Sequence, residues 1–264
     1  MASSTRILFI GDIIGRPGRR ALSMLMPGLL KRYSPDVVIA NGENAAGGFG
    51  ITPEICEELL SLGVDVVTSG NHIWDRREIV GYIGQNPRLL RPANYPAGVP
   101  GSGTLLFECP SGTKVGVLNL CGRAFMENLD CPFRVGLEHV ERLREDTHLI
   151  FVDMHAEATS EKAAIAWYLD GRVSAVVGTH THVQTADERI LPGGTAFVTD
   201  AGMTGPVDSI IGIEKDLVIR KFLTNMPVRY EVAKKGVEFQ GVLIEVDSAT
   251  AKALSIDRIK EPVI

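Results

Sequence analysis

The sequence predicts an α/β protein in which two β-sheets pack face to face with helices outside them. Short apolar runs alternate with helical segments at both ends of the chain, as in parallel βα units. Segments between and after these units carry the turn signals of antiparallel strands. No repeat or linker divides the 264 residues, and 45% hydrophobic content is enough to bury a full core. We therefore expect one α/β/β/α sandwich domain covering residues 1–264.

The first third of the chain contains three predicted βα units. The strands are expected at residues 6–10, 36–40 and 65–68. The helices that follow them are expected at about 17–33, 53–62 and 75–83. Thr52 and Pro53 are typical of an N-cap and a first helical position. Pro27 lies inside the first helix and is expected to kink or split it.

The rest of the chain is predicted to hold antiparallel strands on either side of further βα units. A hairpin-like turn at 110–113 separates strands at 104–109 and 114–120. Helices at 135–144 and 160–170 then alternate with strands, which are expected at 148–153, 173–177 and 195–200. Three later strands are predicted to form an antiparallel meander that covers one edge, at 228–234, 237–246 and 254–260.

Composition and charge exclude several function classes. The formal net charge of −5 argues against a general nucleic-acid-binding surface, although a local basic patch is compatible with it. The four cysteines have no C-x-x-C spacing and are interpreted as reduced thiols. No signal peptide pattern or apolar run of about 20 residues is visible, so we expect a cytoplasmic protein without a membrane partner. The apolar C-terminal strands could be an ordinary edge or a homo-oligomer interface.

Two histidines follow the apolar run that ends at Gly178. His180 and His182 are at positions i and i+2, and an extended backbone would place both on one face, about 6–7 Å apart. Such a pair can hold one metal ion, or one ion each of a close pair. A polar edge strand would show the same alternation, so the pattern alone does not decide between these interpretations.

Polar side chains gather after five of the predicted strands. They are Asp12, Glu43, Asn44, Asn71, His72, His155, His180 and His182. Ligands bind outside the carboxyl ends of strands in open α/β sheets, so we expect these groups to converge on one cleft. Mixed nitrogen and oxygen donors without thiolate suit Mn²⁺, Fe, Zn²⁺ or Co²⁺. This many donors exceed the needs of one ion and suit two ions roughly 3.5–4 Å apart that share a carboxylate.

The ordered motifs resemble those of calcineurin-like metallophosphoesterases. The motifs are Gly11-Asp12, Gly42-Glu43-Asn44, Gly70-Asn71-His72, His155 and Gly178-Thr179-His180-Thr181-His182. The longer stretches at 11–19, 40–48 and 69–75 resemble the narrower bacterial YmdB family. Two positions depart from the broader pattern, because Ile14 replaces its histidine and Glu43 replaces its bridging aspartate. Both departures are features of the narrower family, in which Asn44 is the natural replacement donor.

The resemblance implies a dinuclear phosphodiesterase site with Fe or Mn as the usual metal. One metal is expected to be held by Asp12, Glu43, Asn44 and His182. The other is expected to be held by Glu43, Asn71, His155 and His180, with Glu43 bridging. The implied substrates are cyclic nucleotides, 2',3'-cyclic ones first and 3',5'-cyclic ones second. A hydroxide between the metals would attack phosphorus in line, and unligated His72 would act as general acid for the leaving ribose oxygen.

Two other interpretations are open at this stage. Gly11, Gly15 and Gly18 could form a dinucleotide-binding loop of a Rossmann oxidoreductase, although their spacing is not G-x-G-x-x-G and the histidines would have no role. Alternatively, the protein could be a regulatory sensor that binds metal with little turnover. Hydrolysis of 2',3'-cAMP by metal-loaded protein separates an enzyme from a sensor.

Overall fold

The structure is a computed structural model that describes residues 4–263. Strands and helices alternate over this range. Residues 1–3 and 264 lie outside this range, and the expected absence of a signal peptide falls partly there. The strands are β1 (Ser4–Ile10), β2 (Asp12–Ile13), β3 (Val37–Asn41), β4 (Val66–Thr68), β5 (Thr104–Glu108), β6 (Lys114–Cys121), β7 (Ile150–His155), β8 (Ala175–Thr179), β9 (Arg189–Ile190), β10 (Ala196–Val198), β11 (Met203–Pro206), β12 (Val237–Asp247) and β13 (Ala253–Pro262). The helices are α1 (Gly15–Tyr33), α2 (Pro53–Ser61), α3 (Ile79–Tyr82), α4 (Pro132–Leu143), α5 (Thr159–Tyr168) and α6 (Lys215–Thr224).

The strands form two sheets, and each contains a block of adjacent parallel strands. In the first sheet the order is β2-β11-β12-β1-β3-β4, with β13 paired to β12. Strands β1, β3 and β4 are parallel, whereas β12 runs antiparallel to β1 from Ser4↔Asp247 to Ile10↔Gly241. In the second sheet the order is β5-β6-β7-β8-β10-β9, with β6, β7, β8 and β10 parallel. The parallel blocks place the carboxyl ends of several strands at a common edge.

Alternation along the strands builds a four-layer arrangement. On β1, Ile7 and Phe9 pack into the core between the sheets, while Leu8 and Ile10 pack against the α1 and α2 side. The rings of Phe9 and Phe151 meet across the inter-sheet core with centroids 5.0 Å apart. A third cluster lies between the second sheet and helices α4 and α5. The predicted α/β/β/α sandwich is confirmed, and a single domain over residues 1–264 stays a prediction.

Helix termini in the first half follow the sequence signals. The Thr52 hydroxyl accepts a hydrogen bond from the Ile55 backbone N–H at 3.4 Å, so it caps α2 as predicted, with Pro53 at the first turn. Helix α1 is continuous through Pro27, which removes one backbone donor but does not split the helix.

Two predicted elements are wrong. The helix expected at 75–83 shrinks to α3, because the residues before it form tight turns, with the Ile73 N–H bonded to the Gly70 carbonyl and the Asp75 N–H to the His72 carbonyl. The strand expected at 228–234 pairs only through a single bridge between Ile213 and Val232. Helix α6 was not predicted. The short strands β2, β9 and β11 were not predicted either, since two to four residues of strand carry little periodic signal.

The two-sheet sandwich excludes the Rossmann interpretation. A Rossmann sheet is a single, mostly parallel sheet with helices on both faces, whereas here β12 lies antiparallel beside β1. Gly11 and Gly18 serve close packing instead, because a Cβ at either position would collide with the carbonyl of Gly202 or Thr204. All four cysteines are free thiols, as predicted. Within residues 4–263, no helix combines the length and apolarity needed to cross a membrane.

Candidate metal centre

The fold brings seven of the eight strand-end side chains together as two overlapping groups. Ligand atoms of Glu43, His155 and His180 lie within 4.8 Å of one another. Those of Asp12, Glu43 and His182 form a second such group. Glu43 belongs to both groups, and its side chain is buried with those of Asp12 and His155. A carboxylate shared by two donor groups is the arrangement that suits two neighbouring cations.

The first group is centred on Nε2 of His155. Glu43 Oε1 lies 3.0 Å from this atom, Asn71 Oδ1 lies 3.1 Å from it and His180 Nδ1 lies 3.0 Å from it. Each of these four atoms is an oxygen or a ring nitrogen that can present a lone pair to a cation. His180 also places its Nε2 3.2 Å from Glu157 Oε2, a contact the sequence did not predict.

The second group lies on the other side of Glu43. His182 Nε2 is 3.8 Å from Asp12 Oδ1 and 3.2 Å from the Asn44 amide nitrogen. That nitrogen also donates to Glu43 Oε1 at 3.0 Å, and a half-turn of the amide would present its oxygen to the same place. Asp12 Oδ1 is buried without a hydrogen-bond partner among the described residues. An orphaned buried carboxylate oxygen beside a histidine and a second carboxylate fits a cation site.

Burial and charge shift the pKa values of these groups in opposite directions. Burial raises the pKa of Asp12 to about 7, against the lowering effect of His182 and His155. Burial also opposes ionisation of Glu43 and His155, but their mutual attraction dominates, so the pKa of Glu43 falls to about 2 and that of His155 rises to about 9. Burial and the positive charge of His155 lower the pKa of His180 to about 3. The cluster therefore combines a crowded, buried carboxyl at Asp12 with an uncharged imidazole at His180 near neutral pH.

A buried chain of hydrogen bonds fixes the ring of His155. Its Nδ1 donates to the Thr179 hydroxyl at 2.9 Å, and that hydroxyl donates to Asp153 Oδ1 at 2.7 Å. Asp153 is fully buried and also accepts from Asn41 at 2.9 Å and from the Thr68 hydroxyl. With Nδ1 so held, Nε2 faces the donor cluster, and loss of its proton leaves a lone pair there for a cation. The sequence signal was available, because Asp153 interrupts an apolar strand two residues before His155 and so shares its face.

The segment that carries His180 and His182 is not the extended strand that the sequence suggested. Strand β8 ends at Thr179, and His180 and His182 have φ values of 94° and 63° in the left-handed region. The i, i+2 alternation is therefore wrong as the reason for their proximity. Instead, the backbone turns, and the two rings reach different donor groups.

A buried ion pair holds this strained segment. Asp200 Oδ2 accepts from the Thr181 N–H at 3.1 Å and from the Thr181 hydroxyl at 2.6 Å. The same oxygen is 2.8 Å from the Lys162 ammonium, and both side chains are fully buried. His182 is further fixed by its Nδ1, which lies 3.0 Å from the Ile211 carbonyl. Sequence reasoning missed Lys162 and Asp200, because residues this distant along the chain give no local pattern.

Gly70 allows the donors to approach closely. A Cβ built at this position would collide with the Glu43 carboxylate and with the His155 ring. The absence of a side chain therefore decides whether the two groups can converge.

His72 stands apart from both donor groups, at the mouth of the cluster. Its Nδ1 lies 2.9 Å from Asp75 Oδ2, and its backbone N–H donates to Glu43 Oε2 at 3.3 Å. Phe49 packs edge-on against its ring at a centroid distance of 5.1 Å. With Phe49, His72 lines a cavity of about 370 Å³ that also contains Glu43, His180 and His182. Asp75 is the orienting partner that the sequence did not single out.

The fold and the cluster define a metallophosphoesterase-like sandwich. Histidine, carboxylate and amide donors lie at the strand ends of two packed sheets, and glycines precede several of them. The particular family follows from a family model described as YmdB-like protein, which matches residues 8–259. The chain belongs to this family, and the resemblance predicted from its motifs is confirmed.

Similarity to individual relatives extends over nearly the whole chain. The sequence is 51% identical over 254 residues to a 2',3'-cyclic-nucleotide 2'-phosphodiesterase of Bacillus subtilis (strain 168), with 96% of each chain covered. It is 36% identical to a putative phosphatase/phosphodiesterase of Mycoplasma pneumoniae, which it covers to 94%. A solved structure of a novel phosphatase from Mycoplasma pneumoniae matches with a TM-score of 0.93 at 36% identity, covering 99% of this chain and 95% of that one. A hypothetical protein of Thermus thermophilus matches with a TM-score of 0.89 at 42% identity, covering 98% and 100%.

Proposed function

We propose that the protein is a metal-dependent phosphodiesterase that opens 2',3'-cyclic nucleotides at a dinuclear centre. The observation that carries the proposal is the buried Glu43 carboxylate, which belongs to two separate groups of donor atoms. The name of the Bacillus subtilis relative, at 51% identity over nearly the full length, supports the substrate class.

The proposed ligands divide between two metal ions. Asp12, Glu43, Asn44 and His182 hold one, and Glu43, Asn71, His155 and His180 hold the other. The donor chemistry suits iron or manganese, since imidazole, carboxylate and amide groups are combined without thiolate. The unpartnered Asp12 oxygen and the convergent Nε2 atoms of His155 and His182 support this division.

When bound, the two metals supply Lewis acidity that activates the attacking water and neutralises the phosphoryl oxygens. The protein supplies the geometry and the proton. Water adds its oxygen to phosphorus, the bond between phosphorus and O2' breaks, and a 3'-phosphate remains. The O2' atom leaves as an alkoxide and needs a proton.

His72 is the group proposed to deliver that proton. It lines the cavity beside the donor groups without belonging to either of them. Asp75 Oδ2 lies 2.9 Å from Nδ1 and holds the ring, which leaves Nε2 as the nitrogen free to donate. An imidazole can donate a proton and take one up again, so His72 can act as the acid.

Turnover of 2',3'-cAMP by metal-loaded protein tests the proposal. We expect release of adenosine 3'-phosphate by the wild type, and loss of activity together with metal in Asp12→Ala. Arg142→Ala is a matched control, because that side chain is exposed on helix α4 and pairs with Glu138, away from the donor groups. A wild-type protein that binds metal and 2',3'-cAMP without hydrolysing it would favour the sensor interpretation and overturn the proposal.

Cytoplasmic location stays a prediction from the sequence, and a homo-oligomer interface at the C-terminal strands stays one of the two interpretations that the sequence leaves open.

A further inference from the structure

A large cavity adjoins the candidate metal centre on the α1 side. It has a volume of about 940 Å³, compared with about 370 Å³ for the cavity that contains His72 and the donor groups. Tyr230 lines both cavities, and the neighbouring residues Gly47 and Gly48 line one each. The two cavities therefore meet at Tyr230 and the Gly47–Gly48 segment, so the larger one lies beside a ligand bound at the metal centre.

The larger cavity is strongly cationic. Arg16 and Arg20 enter it from the first turns of α1, and Arg229 and Lys234 enter it from the segment before β12. Among the described residues, Glu231 is the one acidic side chain in its lining. A local excess of positive charge in a chain of formal net charge −5 attracts an anion.

These four cations have no structural partner among residues 4–263. None of their side chains takes part in an ion pair or a hydrogen bond over this range. Arg19, which lies between two of them on α1, shows the contrast. Its guanidinium bonds to Glu58 at 2.8 Å and to the Ala45 carbonyl at 2.6 Å, so its charge is used within the fold. The cavity cations are left available to a ligand.

The segment that carries Arg229 and Lys234 is held in place although it is not a strand. The Glu231 carbonyl accepts from the Glu214 N–H at 2.9 Å, and the Ala233 N–H donates to the Gly212 carbonyl at 2.9 Å. Val232 lies against the loop of the metal centre, so close that a Cβ at Gly48 would be 2.8 Å from its Cγ2 atom. The backbone that carries these cations is therefore held in place beside the site.

A cyclic mononucleotide has no second phosphate that these cations could bind. Its single phosphate is the reacting group and, in the proposed function, lies at the metals. An RNA chain that ends in a 2',3'-cyclic phosphate carries further phosphates, which begin at the 5' oxygen of the terminal ribose. Arginine and lysine in a groove bind such a single-stranded backbone without reading its sequence.

We propose that the substrate is the 3' end of a short RNA bearing a 2',3'-cyclic phosphate, with its 5'-side phosphates in the cavity formed by Arg16, Arg20, Arg229 and Lys234. This inference rests on the proposed function for the reacting end. The net charge argues against nucleic-acid binding by the surface as a whole. That argument does not apply to this cavity, where positive charge is concentrated.

The test compares kcat/KM for three substrates: 2',3'-cAMP, its 5'-phosphorylated form, and a pentaribonucleotide ending in the same cyclic phosphate. We expect kcat/KM for the pentaribonucleotide to exceed that for 2',3'-cAMP by about 10-fold or more. The slope of log kcat/KM against log salt should be steeper by about 0.7 for each additional phosphate bound. Arg16→Ala/Arg20→Ala and Arg229→Ala should reduce this preference and this slope, and leave 2',3'-cAMP turnover unchanged. Arg142→Ala, an exposed cation on α4, is the control and should change neither.

Three results would overturn the inference. The first is an equal kcat/KM for 2',3'-cAMP and the pentaribonucleotide. The second is an equal loss of kcat/KM on both substrates in the arginine variants. The third is a kcat/KM for 5'-phosphorylated 2',3'-cAMP that already equals that of the pentaribonucleotide. Failure of the proposed function is a different result, namely no turnover of 2',3'-cAMP by the wild type. In that case binding of a pentaribonucleotide with a 3'-phosphate end still tests the cavity, because Arg229→Ala should weaken it and Arg142→Ala should not.

Discussion

Thr179→Val tests how the protein orients a proposed metal ligand without touching the metal. The substitution keeps the shape of the side chain and removes the hydroxyl that joins His155 to Asp153. In the wild type this hydroxyl accepts from His155 Nδ1 at 2.9 Å and donates to Asp153 at 2.7 Å. Thr179 and both of its partners are fully buried, so water does not replace the lost contacts.

The magnitude follows from these two hydrogen bonds. Loss of a partner that fixes a metal-bound histidine typically lowers metal affinity about 10- to 100-fold, which is about 1.4–2.8 kcal/mol. Asp153 keeps its bonds to Asn41 and Thr68, so the cost in unfolding free energy is that of one unsatisfied buried donor, about 1–3 kcal/mol.

The assay is a competition titration of metal against a chelator, with thermal unfolding of the same preparations. Thr179→Ser is the matched control, because it keeps the hydroxyl and loses only a methyl group, and we expect near wild-type affinity. Wild-type metal affinity in Thr179→Val would refute the reasoning, since His155 would then either need no orienting bond or not be a ligand.

Three other predictions address separate parts of the site. His72→Ala should lower kcat by roughly 10²–10⁴ with the metal content of the purified protein unchanged, and loss of metal would make His72 a ligand instead of the acid. Asp200→Asn should reduce the unfolding free energy by about 3–5 kcal/mol because it leaves Lys162 buried and unpaired. The same substitution should also lower metal affinity, because Asp200 holds the 180–182 segment. Adding Lys162→Met should restore much of the stability but not the metal affinity. Recovery of both the stability and the metal affinity would show that the Asp200–Lys162 pair does not hold this segment. Metal affinity should fall as the pH drops, because protons compete with the cation for His155, whose pKa is raised to about 9 by Glu43, and for Asp12, whose pKa is raised to about 7 by burial. Titrations between about pH 6 and 8 check this, and a pH-independent affinity would contradict it.

The fold and the convergence of the strand-end side chains were predictable because both depend on local patterns, whereas the roles of these residues as metal ligands or acid stay predictions. Short apolar runs ending in glycine or a polar residue marked β1, β3, β4, β7 and β8, and the topology of parallel strands placed their ends together. The polar residues that follow those runs were therefore expected at one cleft, and all but His72 lie in the two donor groups or within 3.2 Å of them.

The features that could not be predicted depend on contacts between distant residues. The turn at His180 and His182 is stabilised by Asp200 and Lys162, which are remote along the chain, so the local alternation suggested an extended strand instead. The alternating apolar pattern at 228–234 indicated a strand, but its backbone finds only isolated partners and its side chains serve the loop at Gly48. In both segments tertiary contacts override local preference.

Metal content of natively purified protein tests the central claim most directly. The sharing of Glu43 between two donor groups predicts two iron or manganese ions per chain, measured as the molar ratio of metal to protein. A ratio of one ion per chain at saturation would contradict a dinuclear centre.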